Sequence, residues 1–283
     1  MINPITQFTV GADPEMFIIN EKTGDVVSAI GLIPGEKGDP WRDPNWPEGF
    51  GLEIDNVLAE YNIPPAYNKD MFVKAIQFMQ TYIRDYVKSI NPDYNILCAA
   101  SKIVKDDQLE NPIAKLFGCC PDFNCYTNLP NPKPKGDITN LRSAGFHVHY
   151  GYPDANIDDS VQMVKYFDVF LGLVSLLFDT DRKRRSLYGK AGCYRLTSYG
   201  VEYRTLSSFM ASSEKLINLI YDGVSAAVVA FETDMALPTP NDVILAINNS
   251  DITAARAILN SFKNSIDKRT FSYYYLSNVL KTK

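Results

Sequence analysis

Histidine is nearly missing from this chain: two in 283 residues, too few for a metal centre built mainly from imidazoles. The five cysteines, Cys98, Cys119, Cys120, Cys125 and Cys193, are odd in number and form no Cys-x-x-Cys pair. Reduced, mostly buried thiols account for them, and a zinc site from Cys119, Cys120 and Cys125 would need an unusual spacing. Basic excess is also lacking, with 28 Lys and Arg against 33 Asp and Glu and a net charge of -5. This balance argues against an electrostatic nucleic-acid binder, although it leaves room for a local basic channel. No stretch approaches the roughly 20 apolar residues needed to span a bilayer; the longest candidate, Val169 to Phe178, is interrupted by Gly172 and Ser175. The N-terminus lacks the basic start and apolar core of a signal peptide, so the expected compartment is the cytoplasm. Internal repeats and low-complexity tracts are absent.

What is present is a spacing. Both histidines lie in Gly145-Phe146-His147-Val148-His149-Tyr150-Gly151, and residues i and i+2 of a strand project from the same face. The same i, i+2 pairing recurs as Asp13 and Glu15, Glu53 and Asp55, and Glu202 and Arg204, each among apolar residues that would face the other way. Adjacent in one sheet, the four segments make a floor of carboxylates, imidazoles and guanidiniums over a hydrophobic underside.

Residues 7 to 30 predict a hairpin turning at 21 to 25, with Pro14 placing its strand at an edge or a bulge. Residues 31 to 49, rich in Gly and Pro and holding both tryptophans, Trp41 and Trp46, predict a long loop over a pocket, since ordinary connections run about 4 to 6 residues. Asn68 reads as the N-cap of a helix to about Ile90. A strand from Tyr94 to Val104 follows, then a loop-rich stretch over 106 to 139 and the histidine strand at about 140 to 151. A second helix is predicted from Asp158 to Phe178, apolar nearly all round in its last ten residues as in a helix buried between layers. Helices are predicted at roughly 214 to 236, 240 to 248, 251 to 264 and 270 to 281. The expected domains are 1–212, carrying the site, and a helical part at 213–283 packed on it.

Five acidic residues on three strands, Asp13, Glu15, Glu53, Asp55 and Glu202, beside a histidine pair suit hard divalent cations. Mg2+ prefers carboxylate oxygens and is completed by water and substrate phosphates. The run Asp181-Arg182-Lys183-Arg184-Arg185 and the segment Tyr188 to Arg195 precede the last site strand. Arginine binds phosphate bidentately, so Arg185, Arg195 and Arg204 are expected in a polyphosphate clamp, and Lys183 and Arg184 on a solvated face.

The motifs Gly-Ala-Asp-Pro-Glu at 11 to 15, Leu-Glu-Ile-Asp-Asn-Val-Leu-Ala-Glu at 52 to 60, Gly-Phe-His-Val-His-Tyr-Gly at 145 to 151, Lys-Ala-Gly-Cys-Tyr-Arg at 190 to 195 and Tyr-Gly-Val-Glu-Tyr-Arg-Thr-Leu-Ser-Ser at 199 to 208 resemble, in this order, the phage-type amidoligase family. That family, also called carboxylate-amine ligase type 2, is a branch of the glutamine synthetase and glutamate-cysteine ligase superfamily. The resemblance covers about residues 8 to 210. It implies an α+β fold, a curved, mainly antiparallel sheet whose concave face holds ATP and Mg2+, with helices on the other face and a helical C-terminus. It also implies a reaction in which the ATP γ-phosphate passes to a carboxylate and an amine attacks the acyl phosphate to form an amide. By motif, Glu15, Glu53 and Glu202 correspond to metal ligands, and one of His147 and His149 to a ligand or nucleotide contact. Arg195 and Arg204 match positions that meet phosphate, and Asp13 stands where better-known relatives carry glutamate. Asp55 or Glu60 is then a candidate to take the amine's proton. The implied substrates are small-molecule or peptide carboxylates and amines, with nucleic acid entering only as a modified-base substrate. Two other classes compete: a metal-dependent hydrolase, which would consume both histidines and find no third, and a non-catalytic phage protein that retains a ligase fold.

Overall fold

The computed structural model describes residues 7–115, 122–131 and 140–282; Cys119 and Cys120 lie outside them. Its strands are β1 (Thr9–Asn20), β2 (Val26–Val27), β3 (Gly51–Asp55), β4 (Leu58–Asn62), β5 (Tyr94–Leu97), β6 (Ser101–Ile103), β7 (Phe123–Asn124), β8 (Leu141–Ser143), β9 (Phe146–Gly151), β10 (Cys193–Thr197) and β11 (Gly200–Tyr203). Its helices are α1 (Lys69–Ile90), α2 (Ile157–Phe167), α3 (Leu173–Ser175), α4 (Glu214–Glu232), α5 (Pro240–Asn248), α6 (Ile252–Ser265) and α7 (Phe271–Lys281). The architecture is mixed α+β, with a large antiparallel sheet in the order β3-β4-β1-β9-β11-β10-β7.

β1 organises the sheet because it is long. Twelve residues at about 3.3 Å each give it room for different neighbours along its length. Its first half pairs with β9 from Thr9↔Gly151 to Pro14↔Phe146 and its middle with β4 at Glu15↔Glu60, while its last residues pair with β2 and β5. β1 is therefore central, not an edge. Pro14, which has no N–H to donate, falls where the β9 ladder ends and the β4 pairs begin.

Directly paired residues of an antiparallel ladder share a face. One face thus carries Glu53↔Glu60, Glu60↔Glu15, Asp13↔His147, Gly11↔His149, His149↔Glu202 and Glu202↔Arg195. The opposite face carries Val10, Ala12, Met16, Phe146, Val148, Tyr150, Val201 and Tyr203, all buried. The Val, Met and Phe side chains among them each contribute about 1.5–3 kcal/mol by leaving water. α1 lies against β5 and β1, α2 against β10 and β11, and α4 against both helices. Asn68, Asn156, Ser213, Asp251 and Thr270 cap α1, α2, α4, α6 and α7 through their side chains, each contribution being about 1 kcal/mol.

Three predicted elements differ in detail. The strand from Tyr94 to Val104 breaks at Cys98-Ala99-Ala100, so β5 joins β1 while β6 pairs with β8 in a separate two-stranded sheet. The histidine strand is likewise split between β8 and β9 at Ala144-Gly145. The helix from 157 continues to Ser175 through a wide-turn π segment, Asp168–Gly172. There a Cβ on Gly172 would stand 2.7 Å from the Tyr203 hydroxyl and 2.8 Å from Ile247, so only glycine lets the helix approach this closely. Among the described residues no helix is long and apolar enough to cross a membrane.

Candidate active site

Register brings the predicted pairs together. Two groups of ligand-type side chains stand side by side on the polar face, Asp13, His149 and Glu202 in one, Glu15, Glu60 and His147 in the other. Within each, one ligand atom per residue lies within 4.8 Å of the others. His147 bridges them, its Nδ1 3.4 Å from Glu202 Oε1 and its Nε2 3.8 Å from Glu15 Oε1. His149 Nε2 is 2.7 Å from Asp13 Oδ2, and its Nδ1 is 2.6 Å from the Tyr199 hydroxyl. Gly145 donates its N–H to Glu15 Oε2 at 2.5 Å. A Cβ there would stand 2.7 Å from His147 Nε2, so glycine is required where the backbone meets the imidazole.

Glu202 gathers the cations. Arg204 Nη1 donates to its Oε1, and Arg195 Nη1 donates to its Oε2 at 3.1 Å. Arg204 is therefore in direct contact with Glu202. At the other end of the floor, Lys37 Nζ is 2.5 Å from Asp55 Oδ1, and the Gly38 N–H donates to Glu53 Oε2 at 2.9 Å. The loop over 31 to 49 thus reaches the acidic corner with its tip, while Trp41 bonds Leu52 in both directions and stacks edge-on against Trp46.

Burial sets the ionisation here. It raises Glu15 to about 7, aided by the Asp55 charge and opposed by the Gly145 N–H and the Arg184 guanidinium. Burial, followed by the charges of Asp55, Glu15 and Asp13, raises Glu60 well above the usual carboxylate range. Glu53 is raised by burial against the pull of the Gly38 N–H and Lys37. Burial, then Arg204 and Arg184, hold His147 neutral well below its usual range. For His149, burial also acts downward, but the Asp13 carboxylate reverses it and the net shift is upward.

The arginine run is arranged differently from its expectation. Lys183 is exposed, whereas Arg184 is buried, with Nε on the Ala144 carbonyl at 3.2 Å and Nη1 on that of Thr205 at 2.9 Å. Burial lowers it to about 10, still cationic at neutrality. With Glu15, Asp55, Arg142, His147, Tyr188 and Arg204 it lines a cavity beside the floor. Arg185 is absent from that lining; it bonds the Gly189 carbonyl and lies within the fields of Tyr203, Asp179 and Asp168, on the helix side. The reason is local: residues 184 to 186 form a tight helical turn, so neighbouring side chains diverge. Glu60 as a member of a ligand group, Arg142, Lys37 and Tyr199 were not singled out for these places. For Glu60 a signal exists, since Asn56 with φ 59° opens a two-residue hairpin that places Glu60 opposite Glu53.

Fold and floor together define a mixed α+β protein whose sheet carries paired carboxylate and imidazole groups. A family model described as Phage phiEco32-like COOH.NH2 ligase-type 2 matches residues 140–262. That stretch holds His147, His149, Arg184, Arg195, Glu202 and Arg204, while the acidic strands β1, β3 and β4 lie outside it. The fold is similar to that of a bifunctional glutathione synthetase from Pasteurella multocida, with a TM-score of 0.53 and 10% sequence identity over 97% of this chain and 46% of that one. The chain therefore spans less than half the length of that protein, and the likeness is one of fold. No curated protein matches the chain.

Proposed function

We propose that this protein is an ATP-dependent carboxylate-amine ligase. It activates a carboxylate as an acyl phosphate and joins it to an amine, with Mg2+ on the carboxylate floor. The observation that carries the reading is the register of β3, β4, β1, β9, β11 and β10, which lines up two carboxylate-imidazole triads and two arginines on one face. The family description over 140–262 supports the reaction class.

The donor set fits a hard dication. Each triad offers two carboxylates and one imidazole, and burial suppresses the ordinary ionisation of Glu15 and Glu60, a condition that a bound cation reverses. Asp13, His149 and Glu202 would hold one ion and Glu15, Glu60 and His147 another, with Glu53 beside them. An ion held by these residues would supply neutralisation of phosphate charge.

The chain's own groups do the remainder. Arg204, fixed by Glu202, and Arg195, with its side chain 34% exposed, present guanidiniums to the transferring phosphoryl group. Charge develops there, and a preorganised cation stabilises it without reorganising. Arg184, in place of Arg185, faces the cavity and meets the acyl end. Asp55 stands outside both triads and is the group that removes the amine's proton. ATP and Mg2+ incubated with a pool of carboxylates and hydroxylamine should release phosphate and form hydroxamate only when a carboxylate is present. Turnover without nucleotide would mark a hydrolase and overturn the ligase reading.

A further inference from the structure

The cavity beside the floor is lined by charges of both signs, Arg142, Arg184 and Arg204 together with Glu15 and Asp55. Arg184 is 4% exposed. Two of its nitrogens are bound to carbonyls, those of Ala144 and Thr205. Asp55 belongs to neither ligand triad. Instead it holds an alkylammonium group, Lys37 Nζ at 2.5 Å, delivered by a loop whose next residue, Gly38, bonds Glu53.

The two partners of this ion pair are unequal. The Lys37 side chain is 45% exposed and that of Asp55 only 14%, so the ammonium is the end of the pair nearer water and the carboxylate the enclosed one. A solvent-exposed pair contributes about 0–1 kcal/mol, and this sets the scale on which a second ammonium would compete for the same carboxylate.

We propose that Lys37 is an internal stand-in for the amine substrate, and that the Asp55 corner binds a primary alkylammonium. This rests on the ligase reading and adds the class of amine to it. The amine is of lysine type, a terminal NH3+ on an unbranched alkyl stem, carried by a peptide side chain or by a free diamine. When it displaces Lys37, Asp55 takes one proton from the ammonium and leaves a neutral amine. The nitrogen lone pair forms the C–N bond as the C–O bond of the acyl phosphate breaks, and phosphate leaves with that electron pair. The second proton passes from nitrogen to phosphate, giving amide and hydrogen phosphate.

The test is calorimetric titration without nucleotide, using n-butylammonium, 1,5-diaminopentane and Nα-acetyl-lysine methylamide as probes. Lys37→Met should bind n-butylammonium about fivefold tighter than the natural chain, the scale of a partly exposed ion pair. Asp55→Asn added to Lys37→Met should abolish the gain. Tetramethylammonium, which has no N–H, should show no difference between the chains. The tighter of the two larger probes identifies a peptide or a free-diamine source. Equal n-butylammonium affinity with and without Lys37, or a gain that survives Asp55→Asn, would overturn the proposal. So would a gain for Mn2+ in place of the amine. Mg2+-dependent ATP binding, measured on the same folded proteins, reports separately on the ligase reading.

Discussion

Glu202 is 1% exposed and yet touches two guanidiniums and an imidazole, so its charge holds the centre of the floor together. Removing one partner from a buried charged cluster costs about 3–5 kcal/mol. The partial exposure of Arg195 places Glu202→Gln near the lower end, about 3 kcal/mol by urea denaturation, together with loss of Mn2+ binding. Arg204→Lys keeps the charge but not the planar fork. It should weaken ATP-dependent phosphate release by about 1–3 kcal/mol, the range of a charged hydrogen bond, while Mn2+ affinity stays within about threefold. Unchanged phosphate release in Arg204→Lys would show that the arginine does not meet the phosphoryl group. The raised carboxyls make metal binding depend on pH in a definite direction. Glu15, at about 7, and Glu60, raised well above the usual carboxylate range, must give up protons before they ligate, as must His149. Mn2+ affinity should therefore rise from pH 6 to pH 8 and release protons as it does; a flat profile would contradict this assignment of ligands.

At the scale of elements, the π segment after α2 holds a carboxylate under the sheet. Asp168 is fully buried, with Tyr203 donating to its Oδ1 at 2.7 Å and Tyr126 to its Oδ2 at 2.9 Å. Burial raises it from 3.8 to about 7, against the pull of the two tyrosines. The folded state therefore keeps a proton that the unfolded state loses, and stability present below about pH 4 is lost as pH rises towards 7. Asp168→Asn, which fits the same space, removes this dependence. Its melting temperature should gain on that of the natural chain as pH goes from 4 to about 7.5 and then run parallel to it; parallel curves throughout would contradict the buried-acid account. The elements differ in how openly the sequence announced them. Alternation disclosed which side chains of β1, β3, β9 and β11 share a face, because the period of a strand is two. α1 was legible to within a residue from Asn68 and its apolar stripe. The central position of β1 was not, since Pro14 argues for an edge, and only the split of its partners between β9 and β4 accommodates it. Nor was the exchange of Arg184 for Arg185, because a single tight turn decides which of two adjacent arginines faces the cavity, and no periodicity records that.

Over the whole molecule, a net charge of -5 and a sheet face dense in carboxylates would repel a triphosphate unless cations intervene. The apolar underside, packed on α1, α2 and α4, fixes that face rigidly enough for the repulsion to persist. The central claim is thus that nucleotide binds this floor only through divalent cations, and its most direct test is thermal unfolding with ATP in the presence of Mg2+ or of a chelator. At about 100 times its dissociation constant a ligand adds about 2.7 kcal/mol, roughly 5 °C for a chain of this size. The account predicts that shift with Mg2+ and ATP together and none with ATP and chelator. Equal stabilisation in both conditions, or in neither, would contradict it.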